Sequence, residues 1–438
     1  MTHRSLLLSI SRWALLGVLF FSPWVLAWML TLPNLDAASV PNAANVPKLR
    51  PADLLAALSI GSYALAGWPQ HRRLLAPGAR AWSAALIALA IWAAASVAWA
   101  EHRELAVVFA LRLALWVMLA LRAACDPPSL PSMAGVMLAG VTVNAGVGVA
   151  QFLRQHALGL AWLGELPINL TSPNVSVVGG TETHLIRLYG LSGHPNVMGG
   201  YLAAGLLLGS SRLGRPGRWR RAARAGWLLG LVALLMTFSR SAWLGLLAGG
   251  VIMGARAVWR RPQPQIAVAP LAGIVAAVLI GFGMTFAPFL RERLMIDQAA
   301  VEETSLDQRV AQAEVAARLI SAHPLTGVGA GNFSVAGGEL AGAPVDWVHN
   351  VPLLVATELG LAGAGLWLLS TWLVLQRSMR LPSAIAATVA ALLVVMMFDH
   401  YAWTSSQGVY VWAIISGRVL AGSDGHLQDP IGQLVDRA

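Results

Sequence analysis

Charge is what this 438-residue sequence has least of. Asp, Glu, Lys and Arg make up only 11% of it and hydrophobic residues 57%, whereas charged residues form about a quarter of an ordinary soluble domain. With a mean hydropathy of +0.65, a water-soluble globular fold is excluded. Cysteine occurs once, at Cys125, which rules out an internal disulfide and a cysteine-built metal site. Lysine also occurs once, at Lys48, and every other basic side chain is arginine. Ten-residue segments of alternating polarity, the mark of a membrane β-barrel, are missing too.

What is present instead is a succession of apolar runs near the length that crosses a hydrocarbon core. They fall at about 11–31, 51–68, 81–99, 104–121, 132–152, 195–211, 225–238, 240–257, 266–288, 349–376, 383–398 and 405–421. The sequence therefore predicts an all-α, polytopic transmembrane bundle of about 12 helices, a single integral membrane domain over 1–438. The basic start and long apolar run of the first thirty residues have no small-residue cleavage site close behind. They read as a first membrane helix that is kept. With the N-terminus inside, 19 basic residues fall on the cytoplasmic side and ten on the other, so the positive-inside rule puts both termini in the cytoplasm. The net charge of +10 is concentrated in short loops, above all in "RLGRPGRWRRAAR" from Arg212 to Arg224. That placement suits anionic membrane lipid as the partner and excludes nucleic acid.

Two long polar segments, 153–194 and 289–348, fall on the outer side. The first, with "NLTSPNVSVVGGTETH", reads as irregular. The second holds a helix, opening at a Ser305–Gln308 capping box and stopped by His323-Pro324. Leu306, Val310, Ala313, Ala316 or Ala317, and Ile320 share one face, with Arg309, Gln312 and Glu314 off it. That pattern predicts an amphipathic helix lying along the membrane or the bundle.

Titratable groups beside a bilayer are costly and mark function. His349 and Asn350 stand where the second polar segment re-enters the membrane, followed by Pro352. Asn350 suits an N-cap, and a helix N-terminus disfavours imidazolium, leaving His349 the neutral imidazole that a general base requires. Arg187, Arg240, Arg291, Arg293 and Arg309 all fall on the outer side, where guanidinium forks match phosphate oxygens. Any one of them alone suits a lipid-headgroup anchor; the set suits a pyrophosphate clamp. His194-Pro195 leads into the sixth span, and Asp399-His400-Tyr401 forms a second polar cluster. No D-x-D, H-x-x-E-H or H-E-x-x-H spacing occurs on the outer side, and the adjacent Glu302-Glu303 suits an exposed loop, so no metal site and no cofactor is expected. The glycine-rich "GVGAGNF" (Gly327 to Phe333) follows a helix rather than a strand and reads as an outer loop or tight turn. Glu358, about 13 Å along a helix from His349, is too deep for chemistry and is expected to pair within the bundle, with Arg112 or a backbone group.

"LYGLSGHPN", "FSRSAWLG", "HPLTGVGAGNF" and "HNVPLLVATELG", in that order between Arg187 and Gly360, resemble the O-antigen ligase and polymerase superfamily of bacterial inner membranes. Within it the chain is most similar to the O-antigen ligases; the protein O-oligosaccharyltransferases often carry an additional C-terminal region, which is not expected here. The resemblance implies metal-independent glycosyl transfer on the periplasmic face. The donor would be polysaccharide on undecaprenyl pyrophosphate and the acceptor a sugar hydroxyl of lipid A–core, completing lipopolysaccharide. By motif, His349 would be the essential residue and Arg240, Arg309 and, less closely, Arg187 would hold substrate. His194, Asn350, Arg291, Arg293, His400 and Tyr401 complete the set of expected substrate contacts. Two other readings stay open: a polymerase that lengthens the lipid-linked chain, and a lipid or solute transporter, which would place its polar groups at the bilayer midplane.

Overall fold

The computed structural model describes residues 2–29, 48–172, 175–179, 184–214, 217–259, 269–294 and 300–421. Parts of both long polar segments (173–174, 180–183 and 295–299) lie outside the described residues, as do Arg215, Arg260, Arg261 and Arg437. Sixteen α-helices form these residues: α1 (His3–Phe21), α2 (Pro51–Leu65), α3 (Ala79–Ala95), α4 (Arg103–Cys125), α5 (Leu130–Arg154), α6 (Pro195–Leu213), α7 (Arg220–Met236), α8 (Arg240–Trp259), α9 (Ala269–Thr285), α10 (Ala287–Arg293), α11 (Ala300–Ala322), α12 (Phe333–Ala341), α13 (Val351–Ser378), α14 (Ser383–Phe398), α15 (Tyr401–Thr404) and α16 (Ser406–Leu420). Two-residue antiparallel pairs join Trp28–Met29 to Lys48–Leu49 and Val177–Val178 to Leu185–Ile186.

A helix stands at each of the twelve predicted spans. Six of them, α1, α3, α4, α5, α8 and α13, are long and apolar enough to cross a membrane by length and composition. A seventh arises if α9 and α10, bent by 84° at their junction, count as one span. The protein is thus all-α and multi-pass, and a figure of twelve crossings remains a proposal. The first helix lies earlier than expected. Thr2 caps it by accepting from the Ser5 amide at 3.3 Å, and it stops at Phe21, two residues before Pro23, which cannot continue a helix.

α6 is the buried axis, packed against α5, α7, α8 and α14. Its small residues let neighbours close in: at Gly200 a Cβ would collide with the Tyr401 hydroxyl, which fills that space. α13 is broken at Gly360 (φ 68, ψ −176), a conformation essentially confined to glycine. The segment read as an outer loop is what occupies the break. The Val328 and Gly329 amides donate to the Thr357 and Glu358 carbonyls at 3.0 and 2.9 Å, and the Leu361 amide to Pro324 at 2.8 Å. Helix hydrogen bonds lost at the kink are therefore replaced by the glycine-rich segment. Just before the kink the fully buried Glu358 accepts from Trp403 Nε1 at 2.9 Å. It shares a small cavity of about 20 Å3 with Arg112.

α11 departs from expectation in two ways. It begins at Ala300 rather than Ser305. Its buried face is also rotated: Leu306 and Val310 are exposed, while Gln312, Ala316 and Leu319 are buried. The apolar pattern could not reveal this, because the N-terminal half of the inward face meets a polar cleft rather than the core.

Gly360→Ala should lower the thermal unfolding midpoint of the detergent-solubilised protein, because a Cβ would strike the Leu325 carbonyl and the backbone angle itself costs about 1–3 kcal/mol. An unchanged midpoint would mean that the kink is not required.

Candidate functional site

The α7–α8 junction organises the site. α7 ends at Met236 and α8 starts at Arg240, leaving three residues to reverse the chain. Phe238, fully buried, takes a left-handed φ of 47° there. Carbonyls freed at a helix C-terminus need donors, and here guanidiniums supply them. Arg187 Nε donates to Thr237 O at 2.7 Å and Arg293 Nε to Phe238 O at 2.9 Å. Arg240 Nη1 donates in turn to Arg293 O at 3.3 Å. Beside them the Leu188 amide donates to Met236 O at 3.0 Å, docking the segment that carries Arg187. Arg187 and Arg293 are both buried, at 5% and 8% exposure, which is tolerable only because main-chain oxygens replace water around them.

Against this junction lies a cavity of about 600 Å3. Arg187, Arg293, Arg309, His194 and His349 all line it, as do Asn196 and Gln312. α11 brings Arg309 and Gln312 over the cavity from one side. The start of α13 supplies His349 from another, and His194 caps α6 by accepting from the Asn196 amide at 3.1 Å. The N-termini of α6, α8 and α13 all reach this end of the bundle, adding positive helix-dipole potential to the guanidiniums. The arrangement suits an anion.

His349 Nδ1 lies 3.0 Å from Gln312 Oε1. With that amide oxygen as acceptor, Nδ1 carries the proton and Nε2 keeps its lone pair. Burial drives the His349 pKa down to about 4; Asp399 opposes the shift, and His400 and Arg309 reinforce it. His194 falls to about 3 through burial first and the Arg187 charge second. Both imidazoles are therefore neutral near pH 7. Behind His349 a polar relay joins the two halves of the site. Arg187 Nη2 donates to Asn196 Oδ1 at 2.6 Å, Asn196 Nδ2 to Asp399 Oδ2 at 2.9 Å, and the His400 amide to Asp399 Oδ1 at 2.9 Å. The His349 and His400 rings meet edge to face with centroids 5.1 Å apart.

The remaining expected residues are placed differently. Arg240 adjoins the cavity through Arg293 without lining it. Arg309 Nη1 reaches the Phe398 carbonyl at 3.2 Å. Asn350 caps α13, its Oδ1 accepting from the Leu353 amide at 2.9 Å while Nδ2 donates to Met397 O at 3.0 Å. His400 sits behind His349, bonded through Nδ1 to Thr404 Oγ1 at 2.8 Å. Tyr401 is buried against α6 and Arg291 is exposed outside the cavity lining. Three contributors escaped sequence reasoning. Asn196 stood inside the quoted "HPN" motif, Gln312 was assigned to the wrong helix face, and Asp399 gave no sign of lying beside His349. Linear spacing had offered no metal ligands, yet His349, Asp399 and His400 bring their donor atoms within 4.8 Å of one another. Such a trio can hold a cation or serve as a carboxylate-supported pair of imidazoles.

The fold and the cleft define a multi-pass helical membrane protein with a cationic, imidazole-bearing site at one end of its bundle. Residues 225–368, from within α7 to within α13 and about a third of the chain, match the O-antigen ligase family model. No curated protein matches the chain. Arg240, Arg291, Arg293, Arg309, His349 and Asn350 fall within the matched residues, and Arg187, His194, His400 and Tyr401 outside them.

In protein labelled at histidine nitrogen, His349 should titrate well below the ordinary value of about 6.5. Gln312→Glu should raise its midpoint by about one unit or more, because a carboxylate would face Nδ1–H. No rise would show that the two side chains do not meet.

Proposed function

We propose that the cavity joins O-antigen polysaccharide, carried on undecaprenyl pyrophosphate, to a sugar hydroxyl of lipid A–core at the periplasmic face of the inner membrane. The observation that carries this reading is that His349 shares one cavity with Arg187, Arg293 and Arg309. The acceptor hydroxyl attacks the anomeric carbon while His349 Nε2 takes its proton. The bond to the pyrophosphate oxygen breaks in the same step, and the lipid pyrophosphate leaves. Charge grows on that leaving group, and guanidiniums already held by Thr237 and Phe238 carbonyls need little reorganisation to meet it. A single displacement inverts the anomeric centre. Among the described residues Asp346 is the one carboxylate lining the cavity, and Asp399 is engaged with Asn196 and the His400 amide, so a glycosyl-enzyme intermediate is not invoked.

Asp399 and Gln312 are positioning residues in this scheme. The carboxylate supports the developing imidazolium, and the amide fixes the tautomer, as a carboxylate does in other imidazole-based sites. His194 holds Ser176 Oγ at 2.9 Å through Nε2, which ties the loop before Arg187 to the cavity wall. The polymerase reading uses the same chemistry and differs only in the acceptor. Transfer is proposed to need no metal, so the assay is run in chelator.

His349→Ala, given separated lipid-linked donor and lipid A–core in EDTA, should lose about 10²–10⁴-fold in rate, the usual worth of a general base, and keep its place in the membrane. For the unsubstituted enzyme kcat/KM should stay level from pH 8 to about 5.5 and fall as pH approaches 4, where His349 becomes protonated and cannot accept. An acid limb centred near 6.5, or near-normal transfer by the variant, would refute the base assignment. Product found only as longer lipid-linked chains would establish the polymerase instead.

Arg309→Ala should raise KM for donor more than KM for acceptor, and Arg309→Lys should restore little, since an ammonium lacks the planar fork. Equal change in both constants would count against a pyrophosphate clamp.

A further inference from the structure

A second basic cavity lies at the opposite end of the bundle. Its volume is about 540 Å3, within the range of small-molecule sites. Arg73, Arg377 and Arg380 line it, together with the turn that leads into α3 at Ala79 and the end of α16 at Leu420. Among the described residues no carboxylate lines it. α13 begins just after His349 and carries Arg377 in its last turn, so the two cavities lie at opposite ends of this helix.

Arginines in the last turn of a helix often serve as caps for its terminal carbonyls. Here another residue performs that task. Arg256, from α8, donates to the Met379 and Leu381 carbonyls at 2.5 and 2.8 Å. Arg377 and Arg380 are thus left facing the cavity. α13 exposes Leu368, Leu369 and Trp372 one to three turns before these arginines, with Trp372 55% exposed. An apolar, tryptophan-bearing flank directly beside a cationic hollow is what a lipid presents itself to: tails along the helix, headgroup in the cavity.

We propose that this cavity binds the headgroup of an anionic phospholipid, with room and charge for two phosphates. Guanidinium forks would take the phosphate oxygens in pairs, and the acyl chains would lie along the exposed face of α13. The site is independent of the transfer reaction, and neither Arg377 nor Arg380 belongs to the reaction cleft.

Native mass spectrometry of the full-length protein tests this, titrating diphosphatidylglycerol, phosphatidylethanolamine and inorganic pyrophosphate. The two-phosphate lipid should bind at least tenfold more tightly than the zwitterionic one. Arg377→Ala with Arg380→Ala should reduce its affinity tenfold or more, and Arg380→Glu alone, at an exposed position that folding tolerates, should reduce it similarly. Arg218→Ala with Arg220→Ala removes two exposed arginines outside the cavity and should leave it unchanged. Equal losses in both double variants would reduce the effect to general surface charge and overturn the site. Displacement of the lipid by pyrophosphate at equal concentration would make it a soluble-polyanion site instead.

Discussion

A guanidinium cannot be buried at the edge of a membrane unless oxygen surrounds it, and the site is built around the few places where oxygen is free. Helix C-termini leave carbonyls without intrahelical donors. α7 ends within three residues of the start of α8, so its last carbonyls lie deep in the bundle rather than in solvent. Thr237 O and Phe238 O there hold Arg187 and Arg293. Each charge satisfies a main-chain oxygen and is kept by it, and both side chains also line the cavity. The left-handed φ of Phe238 is the local strain that this arrangement tolerates, a pattern common where backbone geometry serves a site.

The same economy explains how distant segments come to share one cavity. Arg187, Asn196 and Asp399 lie on three different elements, yet a continuous path of hydrogen bonds joins them. Moving any of these elements would break a buried polar contact, which is costly where no water replaces it. The imidazole of His349 is held within this frame by Gln312 from α11 and by the ring of His400. Burial keeps it uncharged beside a cluster of cations, the condition under which a histidine accepts a proton at neutral pH. Hydrogen bonds from the segment after α11 to the break at Gly360 tie the helix carrying Arg309 and Gln312 to the helix following His349.

Much of this was legible in the sequence, and the physical reasons for the rest are specific. Apolar runs record burial in lipid or core directly, so each of the twelve fell on a helix, although length and composition alone admit only six as crossings. Arginines and histidines at the ends of those runs stood out because charge there is expensive. The orientation of α11 was not legible. A helix that lines a polar cleft turns Arg309 and Gln312 inward and leaves Leu306 exposed, the reverse of the rule that apolar residues face the protein. Asn196, Gln312 and Asp399 were hidden for a related reason: their roles depend on partners 9 to 203 residues away, and neither spacing nor periodicity carries that information. Gly360 looked like one glycine among many until its carbonyl neighbours were seen to belong to another segment.

The central claim is that one cavity presents fixed guanidiniums to a pyrophosphate and a neutral imidazole to the attacking hydroxyl. An electron cryomicroscopy reconstruction of the protein with a non-transferable isoprenyl pyrophosphate analogue tests it most directly. The account predicts density for two phosphates within hydrogen-bonding distance (about 3 Å) of Arg187, Arg293 or Arg309, with the sugar-bearing side toward His349 Nε2. A reaction cleft without phosphate density, or with the phosphates there turned away from His349, would contradict it.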